Sequence, residues 1–240
     1  MRKILLLMLF VGFCLAHVNC SLLGPKPAHS PYLNYQTKTN LRLPFEGPWV
    51  VYWGGASIDQ NLHASQQDQR FAYDFVRIPL NEAPQHDVIQ QRQTYIGKGR
   101  FNRDYYAFDQ SVLAPGPGKV VMIVDGVEDH RPHLRGHGLK LENPFGNSIV
   151  IDHENGEYSF LAHLKQGSIL VSVGQYVSPG QLLGKCGNSG QSSEPHLHYH
   201  LQNSPAVRQG QGLPAYFKNY STGGQRIEQG MPQRGEVVNP

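Results

Sequence analysis

The sequence predicts an all-β, antiparallel protein. Three observations carry this. The 26 Gly and 17 Pro break the 240 residues into short segments. Those segments are rich in Val, Ile, Tyr and Phe, side chains that suit a pleated, half-buried surface. Ala-Leu-Glu-Lys patterns of helical period are few. With 39% hydrophobic and 16% charged residues, the chain can build one well-packed domain with flanking segments.

The chain opens on Arg2 and Lys3, an apolar run from Ile4 to Ala16, and small or β-branched residues around Val18 and Cys20. This is the pattern of a secretory signal over residues 1–20, and the run is too short to cross a bilayer comfortably. Export to the periplasm or beyond is expected, with no membrane span left after cleavage. Cleavage after Ala16 or after Cys20 both fit, while His17 and Asn19 weaken a lipoprotein site at Cys20. Arg2 and Lys3 account for two of the formal +3 charge, leaving +1, so no nucleic-acid partner is expected. Of three cysteines, Cys14 and Cys20 lie in the signal or at its edge, and Cys186 alone remains. That excludes a disulfide framework or a cysteine-type zinc site.

Residues 21–44 bear Pro, Asn and Ser without periodicity, which predicts a linker or a wrapping N-terminal arm. Strand-like runs follow from about 45 to 203: PWVVYWGG, RFAYDFVRI, GKVVMIVDG, NSIVIDHENGEYSFLAHL, GSILVSVGQYV and PHLHYHLQ. Asn155-Gly156 between two alternating runs predicts a two-residue type I′ hairpin, because both residues tolerate positive φ. Residues 204–240 are rich in Gly, Gln and Pro and carry an apolar patch at Leu213, Pro214, Tyr216 and Phe217, expected to dock on the domain.

The histidines bring the chemistry. In His196-Leu197-His198-Tyr199-His200-Leu201, strand alternation sends three imidazoles to one face and apolar groups to the other. Such a row is either a solvated polar face or a set that can bind a metal and handle protons. Asp74 lies inside the apolar run Phe71–Phe75, where a carboxylate needs a partner. Arg70 or Arg77 would serve, and so would a metal shared with His63, 11 positions earlier, and His198. Two imidazoles and one carboxylate leave an open position for water, as hydrolytic zinc sites require. His163, ending the run Tyr158–His163, reads by itself as a hydrogen-bonded structural residue. His200 shares the face of His198 by parity, so it could orient a metal ligand from behind, but it is expected to be edge-exposed. Cys186 lies in a Gly-rich turn without a base and is expected to be packed. The long connection 125–147, with His130, His133 and His137, is expected to form a groove wall.

Together, GNSIVIDHENGEYSFLAHL, VSVGQYVSPGQLLGKCGNSG and PHLHYHLQ resemble the M23 (LytM-type, lysostaphin-like) zinc metallopeptidases, over roughly residues 48–203. The late His-x-His motif stands here as His196-Leu197-His198, and the Ala-His-Leu motif as Ala162-His163-Leu164. The resemblance implies a two-sheet antiparallel LytM-like fold, of the duplicated hybrid motif type, with zinc on a groove floor. It implies one Zn2+ per chain held by His63, Asp74 and His198, with His163 and His196 catalytic. The commonest early motif, His-x-x-x-Asp, would place a ligand where Arg70 stands. Arginine cannot ligate, and the longer interval from His63 to Asp74 resembles the β-lytic and staphylolytic branch. The implied function is zinc-dependent endopeptidase action on peptidoglycan stem peptides or cross-bridges, with water activated by zinc and assisted by two histidines. The main rival is a degenerate LytM-like binding module whose partner is a cell-wall amidase. A lipoyl-like carrier, suggested by the turn rhythm of Val173–Gln181, lacks a modifiable lysine at the hairpin tip. A non-haem iron oxygenase would also be served by two histidines and a carboxylate, but it leaves His163 and His196 unused.

Overall fold

The computed structural model describes residues 26–79, 93–133 and 143–240; the expected signal at 1–20 and His137 lie outside them. Among the described residues there is no α-helix, only two short 3-10 turns and thirteen strands. The strands are β1 (Trp49–Trp53), β2 (Tyr73–Val76), β3 (Ser111–Leu113), β4 (Gly118–Val124), β5 (Asn147–Asp152), β6 (Tyr158–Leu164) and β7 (Tyr176–Val177), followed by β8 (Leu182–Lys185), β9 (Leu197–Gln202), β10 (Gly212–Leu213), β11 (Phe217–Thr222), β12 (Gln225–Gly230) and β13 (Val237–Asn239). The protein is all-β and antiparallel.

The division into two sheets is uneven. Eleven strands form one sheet in the order β12-β11-β13-β1-β2-β9-β6-β5-β4-β7, with β10 on the flank of β9, while β3 and β8 make a separate ribbon. What positions the site is the middle of that order, β2-β9-β6. Asp74 of β2 and Ala162 of β6 both stand opposite His198 of β9. Alternation does the rest. Leu197, Tyr199 and Leu201 of β9 enter the main core with Tyr73 and Phe75 of β2, so Asp74, His198 and His200 face the other way. On that second face a smaller apolar cluster forms around Phe145, Val150, Phe160 and Ala162.

The hairpin between β5 and β6 exists, but its turn is not the two-residue type I′ turn that Asn155-Gly156 predicts. Asp152 pairs with Tyr158, so five residues connect the strands. Glu154 and Gly156, not Asn155, take positive φ, 59° and 85°. Long-range bonds made by the loop's own side chains explain the wider form. His153 Nδ1 reaches Pro117 O at 2.6 Å and its Nε2 reaches Ser159 Oγ at 2.7 Å. The fully buried Glu157 accepts from Tyr35 Oη, the Lys38 and Thr39 amides and Thr39 Oγ1, at 2.5–2.9 Å.

Through Glu157 the segment before β1 is fastened to the sheet, and it places Leu41, Leu43 and Phe45 in the main core. At the other end of the chain, β10 pairs with β9, and β11, β12 and β13 extend the sheet beyond β1. Leu213, Phe217, Tyr220 and Val238 there are core residues.

Candidate metal centre

Three histidines converge on Asp74. Its Oδ1 lies 2.9 Å from His198 Nδ1 on the neighbouring strand and 3.5 Å from His196 Nε2. Its Oδ2 lies 3.0 Å from His63 Nε2. His63 rides on a 3-10 turn, Leu62–Ser65, capped by Asn61. The buried Asn61 carboxamide accepts from the His63 amide at 3.1 Å and donates to Gly55 O and Ala72 O, tying the turn to the residues just before β2. One donor atom each from His63, Asp74 and His198 fall within 4.8 Å of one another, and no other such group occurs among the described residues.

Arg70 stays away from this cluster. Its guanidinium donates to Ala28 O at 3.0 Å and Ala56 O at 2.5 Å and lies over the Phe71 ring. Arg77 donates to Gln110 Oε1 and sits over Trp49. The reading of Asp74 as an arginine salt-bridge partner therefore fails: its close cationic partners among the described residues are imidazoles.

His163 enters from the side of β6. The β5–β6 register slips between Asn147 and Ile149, and His163 falls in the slipped stretch with φ 60°. A left-handed conformation is costly for a residue with a Cβ and persists where surrounding structure enforces it. Here the His163 amide donates to Phe145 O at 2.9 Å and its carbonyl accepts from Gly187 N at 3.0 Å. The kink turns the ring onto the others, with centroids 4.7 Å from His196 and 5.7 Å from His198.

The tautomers of two rings follow from their partners. His163 Nδ1 faces Ser189 O at 2.8 Å, and His196 Nδ1 faces Glu194 O at 2.8 Å. A carbonyl only accepts, so Nδ1 carries the proton in both and the Nε2 lone pair is free when the ring is neutral. Burial, reinforced by charge on His196 and His198, holds His163 well below the usual imidazole range. Burial also opposes charge on His196, but the Asp74 carboxylate outweighs it and raises the ring's proton affinity. Burial pushes His198 down to about 4 despite its bond to Asp74. Asp74 itself would be raised by burial, yet charges on His63 and His196 and hydrogen bonds from His196 and His198 hold it well below the carboxylate norm.

His200 corrects its expectation: it is 1% exposed, not an edge residue. Cys186 is buried, and burial pushes its thiol far up. Of the connection 125–147, His130 Nε2 lies 2.8 Å from Gly190 O and His133 Nε2 lies 2.9 Å from Tyr105 Oη. Both brace neighbouring loops.

With this geometry established, comparison with known proteins is direct. Residues 104–212 match the sequence model of Peptidase family M23. That segment is similar to the M23 peptidase family. The matched segment carries His163, His196 and His198, while His63 and Asp74 lie before it. The chain is 48% identical to peptidoglycan DD-endopeptidase ShyA of Vibrio cholerae serotype O1 over 56 residues, 23% of this chain and 13% of that protein. It is 36% identical to cell division protein DipM of Caulobacter vibrioides over 64 residues, 27% of this chain and 10% of that one. Both matches thus span about a tenth of the relative's length. The structure of the deep-sea M23 metalloprotease pseudoalterin covers 82% of this chain and 100% of its own, at 18% identity and a TM-score of 0.42. No helix of the described residues is long and apolar enough to cross a membrane.

Proposed function

We propose that this protein is an exported zinc metalloendopeptidase that hydrolyses peptide bonds in peptidoglycan, in stem peptides or cross-bridges, its signal at residues 1–20 being removed on export. The observation that carries the reading is the convergence of one donor atom each from His63, Asp74 and His198 within 4.8 Å, with two tethered imidazoles alongside. Two imidazole nitrogens and one carboxylate oxygen fit zinc and leave a position open for catalysis. His63, Asp74 and His198 would hold the ion. Bound there, zinc supplies Lewis acidity, acidifying water and polarising a carbonyl oxygen.

The rest is work for the chain's own residues. Ser189 O and Glu194 O fix the rings of His163 and His196 by their Nδ1 protons, so both present Nε2 to the same small space. His163, kept neutral by burial, is the group ready to accept a proton at Nε2. His196, whose hold on a proton Asp74 strengthens, is suited to donate a hydrogen bond to oxygen as negative charge develops. The name of the ShyA relative supports a peptidoglycan substrate.

Metal content by mass spectrometry, run with digestion of purified peptidoglycan, tests the reading. Wild type should hold one zinc per chain and digest the substrate, and His63→Ala should lose both. A wild type with neither zinc nor digestion would instead favour a binding module that activates cell-wall amidases.

A further inference from the structure

The row of side chains on β9 does not end at His198. His198 Nε2 lies 3.0 Å from His200 Nδ1, and the next residue on the same face is Gln202. His200 and Gln202 are both buried, and His200 is stacked on Phe160 at 4.6 Å and flanked by Phe145 at 5.3 Å. His200 Nε2 and Gln202 Oε1 are two buried atoms on this face without a hydrogen-bond partner.

We infer that His200 and Gln202 are positioning residues that decide which nitrogen of His198 faces the metal site. The inference rests on the proposed role of His198 as a zinc ligand. Its logic starts at the far end. Gln202 Nε2 donates to two carbonyls, Ser204 O at 2.5 Å and Ala206 O at 3.0 Å, which fixes the amide with Oε1 free as an acceptor. An acceptor there calls for a proton on His200 Nε2, since the reverse arrangement would set two buried lone pairs against each other. Neutral His200 then offers Nδ1 as an acceptor, and the 3.0 Å contact requires the proton of His198 to sit on Nε2. Neutral His198 is left with a lone pair on Nδ1, 2.9 Å from Asp74 Oδ1. With zinc bound, this lone pair and the carboxylate oxygen would both face the ion, whereas without it a proton on Nδ1 makes the bond to Asp74.

Zinc affinity, measured by competition with a chromophoric chelator, tests the relay. His200→Phe keeps a ring between Phe145 and Phe160 but removes the acceptor, and should weaken zinc binding about 10–100-fold. His200→Gln restores an acceptor and should stay within about 3-fold of wild type, while Gln202→Leu should lose roughly 10-fold. In the zinc-loaded wild type, proton NMR should show a slowly exchanging ring N–H from His198 Nε2 that His200→Phe abolishes. Wild-type affinity in His200→Phe, or equal losses in the Phe and Gln variants, would overturn the relay while leaving the zinc reading intact. Failure of wild type to bind zinc would overturn both. If His200→Phe does not fold, as judged by its melting curve, Gln202→Leu decides: unchanged affinity there overturns the inference.

Discussion

His163 and His196 each commit one ring nitrogen to a backbone carbonyl, and neither is among the three proposed metal donors. Replacing either by Ala should therefore leave zinc stoichiometry at wild type and lower peptidoglycan digestion about 10²–10⁴-fold, a separation read by metal analysis beside turnover. Arg70→Ala makes the opposite separation. It strips donors from Ala28 O and Ala56 O without touching the donor cluster, so denaturant melts should show a loss of about 1–3 kcal/mol with zinc retained. At this scale the sequence was legible where parity applied: alternation placed His196, His198 and His200 on one face. Parity does not say whether that face is covered. Phe145, brought over His198 and His200 from outside β9, buries the row, and nothing in the spacing of PHLHYHLQ announces it. The left-handed backbone of His163 was equally silent, because it arises from a register slip against β5.

β9 owes its role to its neighbours, with the carboxylate strand on one side and the His163 strand on the other. The run of strands and the hairpin before β6 could be read from composition and alternation, but pairing order could not, since β2 and β9 lie more than 120 positions apart in the chain. The turn type failed for a related reason: Asn155-Gly156 is a local signal, and His153 and Glu157 answer to Pro117 and to the arm. These two side chains yield predictions. Burial lowers the pKa of His153 below its unfolded value near 6.5, so between the two values the unfolded state binds more protons and stability falls as pH drops below about 6.5. Its contribution is fully present above that pH. His153→Gln should flatten the stability profile there by up to about 1.4 kcal/mol per pH unit, measured as the difference between wild-type and variant denaturant curves from pH 5 to 7.5. Glu157→Ala should cost about 1–3 kcal/mol for each arm donor left unpaired and should open the segment around Lys38 to limited proteolysis.

Among the described residues, segments on both sides of residues 104–212 close the core. Phe45, just after the arm, packs on Trp49 and Phe75, and Phe217 from the last third packs on Tyr73 and Tyr199, directly beneath the strands that carry Asp74 and His198. Phe45→Ala should cost about 3–5 kcal/mol in a melt. Residues 104–212 expressed alone should give no cooperative unfolding transition by circular dichroism. The sheet order makes the reason plain: the stretch that bears the family's late motifs begins after β2 and ends at β10, so it holds β9 without the strand that supplies its carboxylate. The part of this protein most easily recognised is thus not a part that can be moved. A graft or domain exchange cut at those limits would carry three histidines away from the aspartate that gathers them, and the portable unit runs from the arm to the last strand.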